Sequence, residues 1–123
     1  MAKFLALIYG DEATWEAWTE EEDRRNGEAH AALIGASGPA VRAVHEVQRS
    51  STARSIRAGR DGEPLVTVGP FVETREAIGG FYILEAADLH DAVALAARIP
   101  EATAPGSGVE VRPMVEPSGE EGR

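Results

Sequence analysis

Apolar and polar positions along the chain follow two rhythms, and their alternation predicts the elements. Phe4-Leu5-Ala6-Leu7-Ile8-Tyr9 is almost continuously apolar, the pattern of a strand central in a covered sheet. Thr19-Glu20-Glu21-Glu22 has capping-box spacing, in which hydroxyl and carboxylate each satisfy an orphan backbone N–H, so a helix is predicted from there to about Ala36. Ala29, Ala32, Leu33 and Ala36 recur at helical spacing and form its expected packing face. Period two then takes over. Val41, Ala43, His45 and Val47 alternate with Arg42, Val44, Glu46 and Gln48, which puts His45 on the face expected to meet the helices and Glu46 with Gln48 on the other. Ser50-Ser51 turns the chain, and Thr52 to Arg57 reads as a polar strand hairpinned to that one, followed by the Asp61-Gly62 turn signal. Leu65 to Val68 and Phe81 to Leu84 are two further strands, and between them Gly69-Pro70 and Gly79-Gly80 bracket a charged loop. Asp88 caps a helix whose apolar stripe is Leu89, Ala92, Val93, Ala96 and Ile99, ended by Pro100. Val109, Val111, Pro113 and Val115 alternate with polar residues in a last strand that Pro113 marks as an edge or bulge.

With the extra short strands in the middle of the chain set aside, this is the βαββαβ order of an α+β, ferredoxin-like domain, an antiparallel sheet with both helices on one face. Apolar residues at alternate strand positions are numerous enough to predict that a second copy covers the open face, giving a sheet-to-sheet homodimer with a lumen between the sheets. At 123 residues one domain over 1–116 is expected, followed by an acidic tail over 117–123 with nothing to bury.

Charge and composition narrow the function. The net charge of −9 argues against nucleic acid or an anionic membrane as the main partner, because both demand a basic face. Zero cysteines exclude disulfides, thiol catalysis and Cys-ligated metals. The N-terminal apolar run is too short to span a bilayer and ends in Gly10-Asp11-Glu12, so a cytoplasmic protein is expected. No metal or other cofactor is expected, since His30, His45 and His90 lie in separate elements without a ligand spacing and no glycine loop opens a helix to cradle phosphate.

Several stretches together resemble the YCII-related, or DGPF, family of small bacterial proteins: FLALIYGDEATWEAW, EVQRSSTARSIR, VTVGPFVETREAIGGFYIL, DLHDAVALAARIP and EVRPMVE. The resemblance covers most of residues 3–116 and implies a ferredoxin-like fold that dimerises as a dimeric α/β barrel. Some relatives sharing the barrel are lactone-processing isomerases and dehalogenases; others lie beside, or are fused to, extracytoplasmic-function sigma factors. One departure stands out. The family signature is Asp-Gly-Pro-Phe, and Val68 occupies the position of the acid, where it can neither accept a proton nor bind a cation.

Two functions follow as expectations. The first is a binding protein for a small polar organic ligand, with cofactor-free lyase- or isomerase-like acid–base chemistry. Its candidates are His30 and Glu73 as catalytic groups and Glu46, Gln48, Arg75 and Phe71 as ligand-binding groups. His30 recommends itself by a side chain that titrates near neutrality, and the resemblance implies a helix-borne histidine paired with an aspartate. With Val68 in place of the motif acid, Glu46 or Glu73 is the expected substitute partner. The second function is a non-catalytic interaction protein with a sigma factor as partner. Loss of the motif acid favours it; retention of Glu46, Gln48 and the loop charges favours the first.

Overall fold

The computed structural model describes residues 1–71 and 75–116. Strands β1 (Ala2–Asp11), β2 (Val41–Glu46), β5 (Glu76–Ala86) and β6 (Ser107–Pro113) form one antiparallel sheet in the order β2-β5-β1-β6. With the inserted strands set aside, that is the ferredoxin-like order, so the predicted plan is the observed one. Helix α2 (Glu20–Ser37) connects β1 to β2, and α3 (Leu89–Ala96) connects β5 to β6. A short helix α1 (Glu12–Glu16) precedes α2.

Alternation decides where the core lies. Phe4, Ala6 and Ile8 of β1 and Tyr82, Leu84 and Ala86 of β5 are buried on the helical side, where Leu33, Ala92, Ala96 and Ile99 meet them. Leu5, Leu7, Tyr9, Phe81 and Ile83 point the other way and are only half-buried. Both helices begin as expected. Thr19 Oγ1 accepts from Glu22 N at 3.0 Å while Glu22 Oε1 accepts from Thr19 N at 2.9 Å, and Asp88 Oδ1 accepts from Asp91 N at 2.8 Å.

Their packing faces differ from the expected ones. On α2 only Leu33 is buried; Ala29, Ala32 and Ala36 are exposed, and Asn26, His30, Leu33 and Ser37 face the protein instead. Alanines lose little by exposure, so the polar pair Asn26 and His30, which have partners to reach, sets the roll of the helix. On α3 the buried side is Ala92, Ala96 and Ile99, with Leu89 and Val93 left exposed.

Three further corrections concern the strands. The hairpin expected between residues 41–48 and 52–57 does not form. Strand β3 (Arg54–Ala58) pairs with β4 (Pro64–Val68) in a separate two-stranded sheet, while β2 pairs with β5. The pairing of β2 shifts between Val41 and Ala43, so Arg42 is an extra residue and the alternation reverses beyond it. Val44 lies opposite Tyr82 on the core side. His45 lies opposite Phe81 on the open face, its ring 5.5 Å from that of Phe81, and is not the core residue expected. Glu46 lies opposite Gly80 on the helical side. Finally, Gly79 and Gly80 sit inside β5 rather than before it. A Cβ on Gly79 would stand 2.7 Å from the Trp15 ring, and one on Gly80 would stand 2.6 Å from the His45 carbonyl oxygen. The double glycine is a seat for close neighbours, with no role in freeing the chain.

Candidate functional site

Trp15 decides the shape of one end of the sheet. Its indole lies over Gly10 and Gly79, where any side chain would collide with it, and its Nε1–H donates to Ser107 Oγ at 2.9 Å. Beside it, α2 runs above the sheet with a polar underside, leaving a cavity of about 560 Å³ between helix and sheet. Ile8, Gly79, Gly80 and Tyr82 form its floor, Asn26 and His30 its roof. Glu12 closes one wall by accepting from the backbone N–H of Ser50 at 2.7 Å and from its hydroxyl at 2.6 Å. The hydroxyl chiefly, then the backbone N–H, holds the Glu12 carboxyl below its ordinary range. Arg49 joins the same wall to α1 through an ion pair with Glu16 at 2.7 Å.

A line of polar side chains crosses the inner end of this cavity. Tyr82 Oη lies 2.5 Å from His30 Nδ1, with the two rings stacked at 5.7 Å. On the other side of the imidazole, His30 Nε2 is 3.0 Å from Glu101 Oε2 and 2.8 Å from Oε1. Asn26 Nδ2 donates to Glu101 Oε2 at 2.9 Å. Tyr82 is fully buried and Glu101 is 6% exposed, whereas the His30 side chain keeps 19% of its surface open. Glu101 sits in a single 3₁₀ turn, Pro100–Ala102, that follows α3.

The protonation pattern follows from the surroundings. Burial, and then the negative charge of Glu101, pushes the Tyr82 phenol up to about 12, so it keeps its proton. Burial also works to raise the Glu101 carboxyl, but the hydrogen bonds from His30 and Asn26, joined by the charge of His30 when it is protonated, outweigh it and leave the group below its ordinary value. Between a proton-bearing phenol and a carboxylate, a neutral imidazole accepts at Nδ1 and donates at Nε2. The result is a carboxylate–imidazole–hydroxyl relay, in which the carboxylate fixes the tautomer and stabilises an imidazolium once it forms.

Of the residues expected from the sequence, His30, Glu46 and Gln48 all line this cavity. Phe71 does not: it is exposed, with the Arg57 guanidinium 4.3 Å from its ring centre. Arg75 is also exposed, its guanidinium 3.5 Å from Asp11 Oδ2. Glu73 lies outside the described residues. Among the described residues the acid that meets His30 is Glu101, not Glu46, and the sequence reading did not single it out. Tyr82 was read only as a strand residue. Both reach His30 from more than 50 positions away along the chain, and no local pattern signals such a meeting. Val68 is 75% exposed on β4 and lines no cavity with His30, so the valine there removes nothing from the relay. Among the described residues no three His, Asp or Glu side chains are grouped to hold a metal ion, and no helix is long and apolar enough to cross a membrane.

The model of the YCII-related domain matches residues 2–117. An uncharacterized protein of Rhizobium meliloti (strain 1021) is similar to this chain, 33% identical over 117 residues that cover 90% of each. A match along nearly the whole chain, by family model and by relative, means that the protein belongs to the YCII-related family.

Proposed function

We propose that the cavity beneath α2 binds a small polar organic molecule and that His30, held between Tyr82 and Glu101, moves a proton to or from it. The observation that carries this reading is the relay itself. A buried carboxylate, an imidazole and a phenol are joined by hydrogen bonds at the edge of the cavity, and the imidazole is the most exposed of the three. Maintaining an ionised carboxylate at 6% exposure is costly unless its hydrogen bonds offset the lost hydration, and here they order an imidazole, a group able both to accept and to donate a proton. The reaction class is cofactor-free proton abstraction and return, as in isomerisation or elimination.

The test is a thermal-shift screen of small lactones, carboxylic acids, alcohols and amines, followed by incubation of any stabilising compound in D₂O. Exchange of a carbon-bound proton for deuterium, lost in His30→Asn and reduced in Glu101→Gln, is the expected result. A compound that binds wild type and His30→Asn equally, with no exchange, would show that the relay only fastens α2 to the sheet.

Two further proposals concern partners. The half-buried row of Leu5, Leu7, Tyr9, Phe81 and Ile83 supports a second copy covering the open face, as sheet-to-sheet dimerisation requires. A second functional reading, a non-catalytic interaction protein, is favoured by the β3–β4 hairpin, which leaves Ile56, Leu65, Val66 and Val68 exposed. A sigma factor is the candidate partner. Retention of such a partner by His30→Asn, and its loss on Val66→Glu, would support that reading.

A further inference from the structure

We infer that the ligand of this cavity is a small organic cation, a primary amine with an apolar or aromatic body, and that carboxylates are excluded. The inference rests on the reading of the cavity as a ligand site and names the class that the site accepts.

The polar inventory of the wall is one-sided. Its charged and buried donors are already committed within the protein, which leaves the Gln48 amide and the Trp18 indole N–H as neutral donors without a partner among the described residues. The Arg49 guanidinium is paired with Glu16, and the Ser50 N–H and hydroxyl are taken by Glu12. Asn26 and His30 Nε2 are turned to Glu101, the Tyr82 phenol to His30, and the Trp15 indole N–H to Ser107. An anionic ligand would therefore meet no unpaired arginine or lysine on the wall, only neutral donors.

The charged groups that remain open are all acceptors. Asp23 and Glu46 line the cavity, and neither side chain has an ion pair or hydrogen bond among the described residues. Glu101 lines it too and adds its negative charge, although its carboxylate is 6% exposed and already faces His30 Nε2 at 2.8 Å. Five carboxylates in all stand on the wall against one arginine, itself neutralised. Negative charges gathered around a concave, partly apolar surface focus their field on the space between them and concentrate cations there. Both tryptophans of the chain, Trp15 and Trp18, are on the same wall, and indole faces are the strongest aromatic partners of an ammonium group. At about 560 Å³ the cavity is within the size range of small-molecule sites.

The experiment compares three probes of matched size, phenethylamine, phenethyl alcohol and phenylacetate, by quenching of tryptophan fluorescence in the full chain. With Trp15 and Trp18 both on the wall, the emission reports this cavity directly. The expected result is phenethylamine binding at least about tenfold more tightly than phenylacetate, with an advantage that shrinks as salt is added. Glu46, exposed at the end of β2, is the safest site for a variant. Glu46→Gln should reduce the preference for the amine and Glu46→Lys should abolish or invert it. Asp23→Asn provides a second, independent reduction. Equal or tighter binding of phenylacetate by wild type overturns the amine class while leaving a ligand site in place. Binding of none of the three probes overturns the class together with the site reading beneath it. An amine preference unchanged in both Glu46→Lys and Asp23→Asn overturns the attribution to these carboxylates.

Discussion

Replacing Glu101 by glutamine isolates the charge of the relay at constant shape. In the native chain Oε2 accepts from both Asn26 Nδ2, at 2.9 Å, and His30 Nε2, at 3.0 Å, while Oε1 lies 2.8 Å from the same imidazole nitrogen. A glutamine oxygen can still occupy the place of Oε2, but its amide nitrogen then faces a nitrogen that carries a proton, two donors pointed at each other. The imidazole must change tautomer or turn away. Hydrogen bonds to a charged acceptor contribute about 1.5–3 kcal/mol each, and roughly one of the two is lost outright. The partly open His30 side keeps some water, which argues for the lower half of that range, about 2 kcal/mol. With a urea slope of about 2 kcal/mol per molar, the midpoint should fall by about 1 M.

The pH dependence gives the sharper check. The folded-state value of Glu101 is depressed, so its ionised form contributes stability that is fully present above the unfolded carboxylate value and is lost as pH falls through the folded one. Glutamine does not titrate, and the other carboxylates are common to both proteins. The difference in unfolding free energy between wild type and Glu101→Gln should therefore be largest near pH 7 and shrink steadily as pH falls through the ordinary carboxylate range. Urea titrations at a series of pH values measure it. A variant as stable as wild type at neutral pH, or a deficit that stays constant down to acid pH, refutes the ionised, hydrogen-bonded carboxylate derived above.

Gly79→Ala puts a Cβ 2.7 Å from the Trp15 ring, so the indole must shift or strain; a loss of about 1–3 kcal/mol and a changed tryptophan emission maximum are expected in urea unfolding followed by fluorescence. Thr19→Ala removes one arm of the capping box on α2 and should cost about 1 kcal/mol, read as a lower thermal midpoint by circular dichroism, with unchanged stability refuting the cap. Leu7→Lys sets a charge in the half-buried row on the open face: sedimentation at micromolar concentration should show a dimer for wild type and a monomer for the variant, and a monomeric wild type defeats the sheet-to-sheet interface.

Local chemistry determined much of this protein before any tertiary contact was known. The apolar run of β1, the capping box of α2, the Asp88 cap of α3 and the valine alternation of β6 are each specified by residues within a few positions of one another. The four-strand, two-helix order follows from them, and so does the kinship with the YCII-related family. Histidine, glutamate and glutamine at 30, 46 and 48 could also be singled out, because polar residues of useful chemistry are visible wherever they stand.

Only the tertiary structure decided which faces those residues meet. Period two carries a face assignment along a strand only while no residue is inserted, and the single extra position at Arg42 exchanges His45 and Glu46 between the open and helical faces. Strand β3 alternates well enough to join either neighbour, and it pairs with β4 across the tight turn through Asp61 and Gly62 while β2 pairs with β5. Ala29, Ala32 and Ala36 form a stripe by spacing alone, yet buried hydrogen bonds from Asn26 and His30 turn α2 onto another side. Those same bonds bring Glu101 and Tyr82 to His30 across 71 and 52 residues. A partner of this kind is selected by the crossing of a helix, a strand and a turn, and nothing in the residues flanking either end records it.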